Sequence, residues 1–359
     1  MTKYIGLDVH VNSTVACIFD DCMNSYKYEK VKTSPAALRR LLKAHSKDNS
    51  VRATMEVSGL TANLYDHLRE SVDEMVLCNP SQMPWIWRTA KKTDCIDAKK
   101  QALLLSVGQI PKVHMPAIEV RQWRMTIQHR RRLVEKRTRV KNRIRSMINS
   151  LCLRDKKIGT WWTKKNIQWL RTLTDMQGAI PLSDQAALQL LDMIDELEFF
   201  NAKVKYVTER LDRIAENHPG VHLLMTIPGV GPRTAEAVLA YTDEVDRFKR
   251  SKQYASYFGM TPKLDESAST RRLGHISKRG PSVVRWLIVE SAWRAVKFSP
   301  ALRAFYTRVM RGQKGRKKVA IVATARKVLT IMRMMLITGE VYNEKLVNNA
   351  LAALPRPLK

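Results

Sequence analysis

The chain has 359 residues, 45% of them hydrophobic, and carries 63 Lys and Arg against 33 Asp and Glu, a formal net charge of +30. That length and apolar content exclude wholesale disorder and allow two or three domains, while the charge calls for a polyanion, either nucleic acid or an anionic membrane surface. Membrane insertion is excluded, because the best apolar stretch, 319–339, is broken by Arg326, Lys327 and Arg333; the lack of a secretory signal and of any CxxC pair among five cysteines points to a reducing cytoplasm.

Residues 3–19 alternate apolar and polar side chains and predict two strands joined near 10–13. A third strand follows at 26–31. Ser34 caps a helix with Pro35 at its first position and Leu38, Leu41 and Leu42 on its apolar face. Residues 51–55 predict a strand ending at Glu56, then a helix over 58–70 and a strand over 73–78. After a loop with Pro80 and Pro84 comes a helix carrying Asp94 and Asp97. Together these make residues 1–115 a mixed α/β domain.

Residues 117–150 contain no Gly or Pro and keep a helical period through Leu133, Val140, Ile144, Met147 and Ile148. A second long helix is predicted over 184–217, and Trp161, Trp162 and Trp169 lie in the connection. The pair predicts an antiparallel helical or coiled-coil arm over 116–219 that packs against a partner chain. Residues 220–359 are mostly helical, with Gly and Pro punctuation. The fold class is α/β followed by a mostly-α region.

The charge is concentrated. Residues 121–150 hold 11 basic side chains and one acidic, and 220–359 hold 26 against 9, whereas 1–120 hold 16 against 13. The first stretch supplies Arg130, Arg131, Arg132, Arg137, Lys141, Arg143 and Arg145 as candidate nucleic-acid contacts. IPGVGP at 227–232 resembles a helix-hairpin-helix turn, in which Gly229 and Gly231 let backbone N–H groups approach a phosphate. The segment GMTPKLDESASTRRLGHISKRG at 259–280 reads as a Gly- and Ser-rich loop, with Arg271, Arg272, Lys278 and Arg279 suited to phosphate contact.

Four acids stand apart. Asp8 lies in the first strand between residues that want burial, Glu56 ends a later strand, and Asp94 and Asp97 share a helix face at i, i+3 spacing. Together they offer oxygen ligands for Mg²⁺ (or Mn²⁺), and paired ions would stabilise both oxygens of a phosphodiester displacement. The histidines show no ligand spacing; only His10, beside Asp8, is placed to reach a metal. No organic cofactor motif is present.

The phrases IGLDVH, MEVSG and KTDCIDAKK, with the basic stretch 121–150 and the segments IPGVGPRTAEAVLA and GMTPKLDESASTRRLGHISKRG, resemble the DEDD insertion-sequence transposases, the IS-one-ten family. The resemblance implies an RNase H-like (RuvC-like) first domain with Asp8, Glu56, Asp94 and Asp97 as metal-binding catalytic residues. It also implies a C-terminal transposase domain whose serine forms a covalent phosphoserine with DNA. Ser267 aligns with that serine, flanked here by Glu266 and Ala268, and Ser269 is the reserve. A serine hydroxyl is a weak nucleophile unless a base or metal assists it, so the two domains would have to meet, within one chain or across a dimer. Implied partners are donor and target DNA, a non-coding bridge RNA and further copies of the chain in a dimer or tetramer, within a bacterial or archaeal nucleoid. Two other readings stay open: a RuvC-like Holliday-junction resolvase that hydrolyses DNA with water, and a non-enzymatic nucleic-acid-binding protein.

Overall fold

The computed structural model describes residues 2–79, 93–153, 161–174, 183–267 and 270–352, with side chains for all of these except 265–273 and 352. The chain divides into two compact units, Met1–Pro116 and Ala117–Lys359.

In the first unit β1 (Thr2–Val9), β2 (Ser13–Asp20) and β3 (Ser25–Lys32) form an antiparallel meander. β4 (Ser50–Glu56) joins β1 in parallel and β5 (Glu74–Cys78) joins β4, giving the order β3-β2-β1-β4-β5. The two-residue period of β1 divides its side chains between the faces of the sheet. Ile5 and Leu7 meet Leu38, Leu41 and Leu42 of α1 (Pro35–Ser46) and Leu64 and Leu68 of α2 (Thr61–Leu68). On the other face Ala98 and Ala102 of α3 (Asp94–Ser106) pack against Val15, Cys17 and Phe19. The predicted cap holds: the Ser34 side chain accepts from the Ala37 N–H, with Pro35 at the first position. The helix expected over 58–70 begins only at Thr61, because Thr61 Oγ1 donates to the Glu56 carbonyl at 2.6 Å and accepts from the Ser58 N–H at 2.7 Å, closing a turn first. The Pro80 and Pro84 loop lies outside the described residues.

Gly6, mid-strand in β1, faces α3. A Cβ there would lie 2.1 Å from the Ala98 carbonyl oxygen and 2.7 Å from the Ala102 nitrogen. Glycine is what lets the helix backbone lie directly on the strand.

In the second unit α4 (Ile118–Ser150) packs along α6 (Asp184–Glu216), with α5 (Lys164–Thr172) between them in sequence. Leu133, Val140, Ile144 and Ile148 meet Leu190, Ile194, Leu197 and Val204, and Trp161 and Leu170 join the same cluster. Trp123, Ile127 and Leu211, from the other end of these helices, belong to the core of the C-terminal helices. The base of the arm thus packs into the core of the C-terminal helices, while the rest of the arm keeps a hydrophobic cluster of its own. The C-terminal helices are α7 (Pro219–Met225), α8 (Pro232–Thr242), α9 (Ser251–Tyr257), α10 (Ser282–Phe298), α11 (Pro300–Met310), α12 (Lys317–Thr338) and α13 (Glu344–Ala352). The segment expected to be a loop at 259–280 is instead built on a hairpin, β6 (Pro262–Ser267) with β7 (Thr270–Ile276), because antiparallel pairing satisfies backbone groups that a loop would leave to water. No helix among the described residues is long and apolar enough to cross a membrane.

Candidate active site and nucleic-acid-binding residues

Asp8 is the penultimate residue of β1 and Glu56 the last of β4; the register Leu7–Met55 between these parallel strands makes them neighbours on the face that α3 covers. Thr93 caps α3 by accepting from the Ile96 N–H, which puts Asp94 and Asp97 in the first helical turn, where the exposed amides favour negative charge. The His10 imidazole reaches both ends of the cluster: Nε2 lies 3.3 Å from Asp8 Oδ2 and 3.5 Å from Asp94 Oδ1. Asp8, His10 and Asp94 thus offer three ligand atoms within 4.8 Å of one another. Asp97 is buried; its Oδ1 accepts no hydrogen bond among the described residues, and Lys100 Nζ stands 3.9 Å away. Gln101, fully buried one helical turn further on, donates from Nε2 to Glu56 Oε1 at 3.4 Å.

Burial pushes the Asp8 carboxyl above its ordinary value; His10 opposes the rise, and Asp94 and then Asp97 add to it. Gathering like charges in this way is unfavourable unless a cation joins them. The donor set fits a hard divalent ion: carboxylate oxygens from two elements, a buried Asp97 oxygen that accepts no hydrogen bond among the described residues, and an imidazole beside them. His10, the one histidine whose sequence position next to Asp8 suits a metal, joins the two aspartates here. The turn 10–13 folds it back, and its backbone N–H donates to the Ser13 carbonyl at 3.2 Å.

Ser267 is the last residue of β6, paired with Thr270. The side chains of Ser267, Arg271 and Arg272 lie outside the described residues, as does all of Ser269. Gly259 and Gly280, at the foot of the hairpin and both at positive φ, interlock with the opposite strand of chain: a Cβ at 259 would sit 2.1 Å from the Arg279 carbonyl oxygen, and one at 280 would sit 2.0 Å from that of Tyr257. Arg285 Nη1 donates to the carbonyls of Phe258, Arg279 and Gly280 at 3.3, 2.8 and 2.9 Å. Lys278 and Arg279 are exposed at this foot.

The basic face of α4 is less free than its sequence suggests. Arg130 Nε donates to Thr208 Oγ1 at 2.7 Å, Arg137 Nη1 to Asn201 Oδ1 at 3.5 Å, and Arg143 pairs with Glu196. The partners fall from 208 to 196 as α4 rises from 130 to 143, so the helices run antiparallel. Lys141 lies 5.1 Å from the Trp162 ring centroid and Arg145 5.6 Å from that of Trp161. Burial lowers the pKa of Arg130 and of Lys141. Arg131 pairs with Glu135 at 2.8 Å, while Arg132 and Arg139 are exposed. Gly229 has a packing reason distinct from the phosphate approach read in the sequence: at φ +86°, its Cβ would fall 2.6 Å from the Ala295 nitrogen of α10. Gly231 has open space on its side-chain face.

Glu236 of α8 is fully buried. Burial pushes it up to about 7 against the pull of Arg233, whose Nη2 is 2.9 Å from Oε1; Asp212 adds to the rise and Arg130 opposes it. A carboxyl raised by folding binds its proton more tightly in the native state, so its contribution to stability falls as pH rises from 4.5 through about 7. Glu236→Gln is expected to flatten the dependence of Tm on pH across this window and to be the more stable protein above it, by up to about 3 kcal/mol. Thermal melts of both proteins across the window check this, and parallel curves would contradict it.

Two family models match the chain. A DEDD transposase model of the IS110 type covers residues 5–153, which include all four acids, and the model for the transposase IS116/IS110/IS902 family covers 221–307, which include the hairpin. The DEDD match implies an RNase H-like fold for the first unit, in keeping with its five-stranded mixed sheet. Among curated relatives, a probable family 20 transposase of Pseudomonas aeruginosa is 25% identical over 65% of this chain and 69% of its own. The transposase for insertion sequence element IS1111A of Coxiella burnetii is 26% identical over 70% of this chain and 69% of its own. A pilin gene-inverting protein of Moraxella lacunata is 26% identical over 91% of this chain and 94% of its own. The chain therefore belongs to the IS116/IS110/IS902 family of transposases, enzymes that cut and rejoin DNA by phosphoryl transfer.

Proposed function

We propose that the protein moves an insertion sequence by cleaving and rejoining DNA through a phosphoserine at Ser267, with Asp8, Glu56, Asp94 and Asp97 holding Mg²⁺ or Mn²⁺. Supporting this is the gathering of Asp8, His10 and Asp94 around one point, with the buried Asp97 Oδ1 accepting no hydrogen bond among the described residues. A divalent ion bound there would supply Lewis-acid stabilisation of phosphate oxygens. The chain's own groups do the rest. Ser267 Oγ bonds to phosphorus as the strand's P–O bond breaks; the serine proton passes to a base and a DNA hydroxyl is released. A second DNA hydroxyl then attacks the phosphoserine, rejoins the strand and frees Ser267. Lys278 and Arg279, with Arg271 and Arg272, neutralise phosphate charge nearby.

A bridge RNA that pairs with donor and target DNA would deliver sequence choice, leaving the basic residues to hold backbone. Two DNA ends acting together call for a dimer or tetramer. The reading is tested by denaturing gels of the full chain with suicide DNA substrates and Mg²⁺. A covalent protein–DNA band that maps to Ser267 and disappears in Ser267→Ala is the expected result. Cleavage without an adduct would transfer the assignment to a resolvase that uses water, and an adduct surviving in Ser267→Ala would move the nucleophile to Ser269.

A further inference from the structure

Two cavities adjoin in the second unit. One, of about 380 Å³, is floored by Ile127, Val134, Leu211 and Leu287 and walled by Trp286. The other, of about 510 Å³, is flanked by Arg124, Arg132 and Tyr257 and reaches Gly280, Pro281 and Ser282 at the foot of the hairpin. Arg131, Glu135 and Val283 line both, so they form one groove that runs from α4 toward β6–β7.

Trp286 sets the chemistry. It stands on the polar side of α10 with 49% of its surface exposed, and the Arg131 guanidinium lies 5.6 Å from its ring centroid. The guanidinium lies over the ring, and the half of the indole that remains exposed, beside this planar cation, offers a stacking surface to a flat ring. Arg130, Arg131, Arg139 and Arg233 line the same cavity against Glu135 and Glu236. Four guanidinium groups against two carboxyl groups leave the balance positive. The occupant must therefore be planar and apolar on its faces, small enough for this space, and anionic at its edge. An apolar peptide meets only the first half of that description. A nucleotide meets all of it, and only an unpaired one can lay its base on a protein ring, since a duplex keeps its bases stacked on each other.

We infer that this groove is a track for an unpaired nucleic-acid strand, with one base stacked on Trp286 and its phosphates on Arg131, Arg132 and Arg139, leading that strand to the hairpin foot. The inference rests on the reading that the protein handles nucleic acid, and it adds where an unpaired strand is held. Single-stranded DNA and RNA present the same base and phosphate chemistry, so the test has an arm for each.

The full chain is titrated by fluorescence anisotropy with labelled single strands of about 12 nucleotides, DNA and RNA of one sequence, and with the matching duplex. Trp286→Ala is expected to weaken binding of at least one single strand by about 10-fold, the size of one lost base–aromatic stack, with duplex binding within about twofold. Trp286→Phe, which keeps a ring, should retain most of the single-strand affinity. The strand that weakens identifies the occupant as DNA or RNA. Equal losses on single strands and duplex, or no loss on either single strand, would overturn the proposal. Wild-type protein gives a second readout that no folding defect can blur: strands carrying 5-iodouracil should photocrosslink to Trp286, and crosslinks that avoid 286 would overturn it too. A failed adduct assay at Ser267 leaves both comparisons readable, so the two proposals fail separately.

Discussion

Asp8→Asn and Asp97→Asn are each expected to reduce Mg²⁺-dependent DNA cleavage by about 10³-fold or more, the loss of several kcal/mol of transition-state stabilisation. DNA binding should stay within about twofold, because affinity comes from basic side chains and released counterions rather than from these acids. Asparagine keeps the shape of each side chain while removing the charge and turning one acceptor oxygen into an NH2 donor. The stability signature should run the other way. Burial, Asp94 and Asp97 already raise the Asp8 pKa, so its charge opposes folding when no cation is present. In EDTA, Asp8→Asn should melt no lower than the parent protein; with Mn²⁺ added, the parent should gain Tm and the variant should not. Cleavage of end-labelled DNA and thermal melts together check both halves. An Asp97→Asn protein that cleaves at the parental rate would remove Asp97 from the site.

Gly6→Val should cause the largest loss of stability of any single change in the first unit, about 3 kcal/mol or more, and should abolish cleavage with it. The Cβ would fall 2.1 Å from the Ala98 carbonyl oxygen and 2.7 Å from the Ala102 nitrogen. Both are backbone atoms, so no rotamer change relieves the contact. The helix must lift from β1, and the helix carries Asp94, Asp97 and Gln101. Separation of these from Asp8 and Glu56 disperses the cluster even in molecules that still fold. Hydrogen exchange should show lost protection in α3 before α1, and a variant with parental Tm and α3 protection would contradict the packing argument.

The first unit was legible because its signals are local. Alternation at 3–19, the Ser34–Pro35 cap and the i, i+3 pair at 94 and 97 each name an element before any contact is known. Sheet order and the meeting of the acids follow from long-range pairing, which alternation does not encode. Gly6 did carry a signal, since glycine inside a strand marks a close backbone approach. The closeness of His10 to Asp8 was readable too, but its approach to Asp94 was not, because that depends on the turn at 10–13. The arm was predicted from period and length. The lock between Arg130 and Thr208, or Arg143 and Glu196, was not, because a basic helix looks the same in sequence whether its arginines face solvent or a second helix. The hairpin at 262–276 was masked by its own composition, as Gly, Ser and Thr residues read as a loop until their backbone groups are seen to pair. Arg285 and Glu236 sit in helices with nothing in their sequence neighbourhood to set them apart; partners brought by packing give them their character.

The proposed mechanism requires the carboxylates of the first unit to gather a divalent ion. Manganese EPR on the full chain addresses that directly. Titration of the parent protein with Mn²⁺ should show bound ion as loss of the free six-line signal, and the double variant Asp8→Asn, Asp97→Asn should leave that signal intact. Equal uptake of Mn²⁺ by the two proteins would place the ion elsewhere and contradict the account.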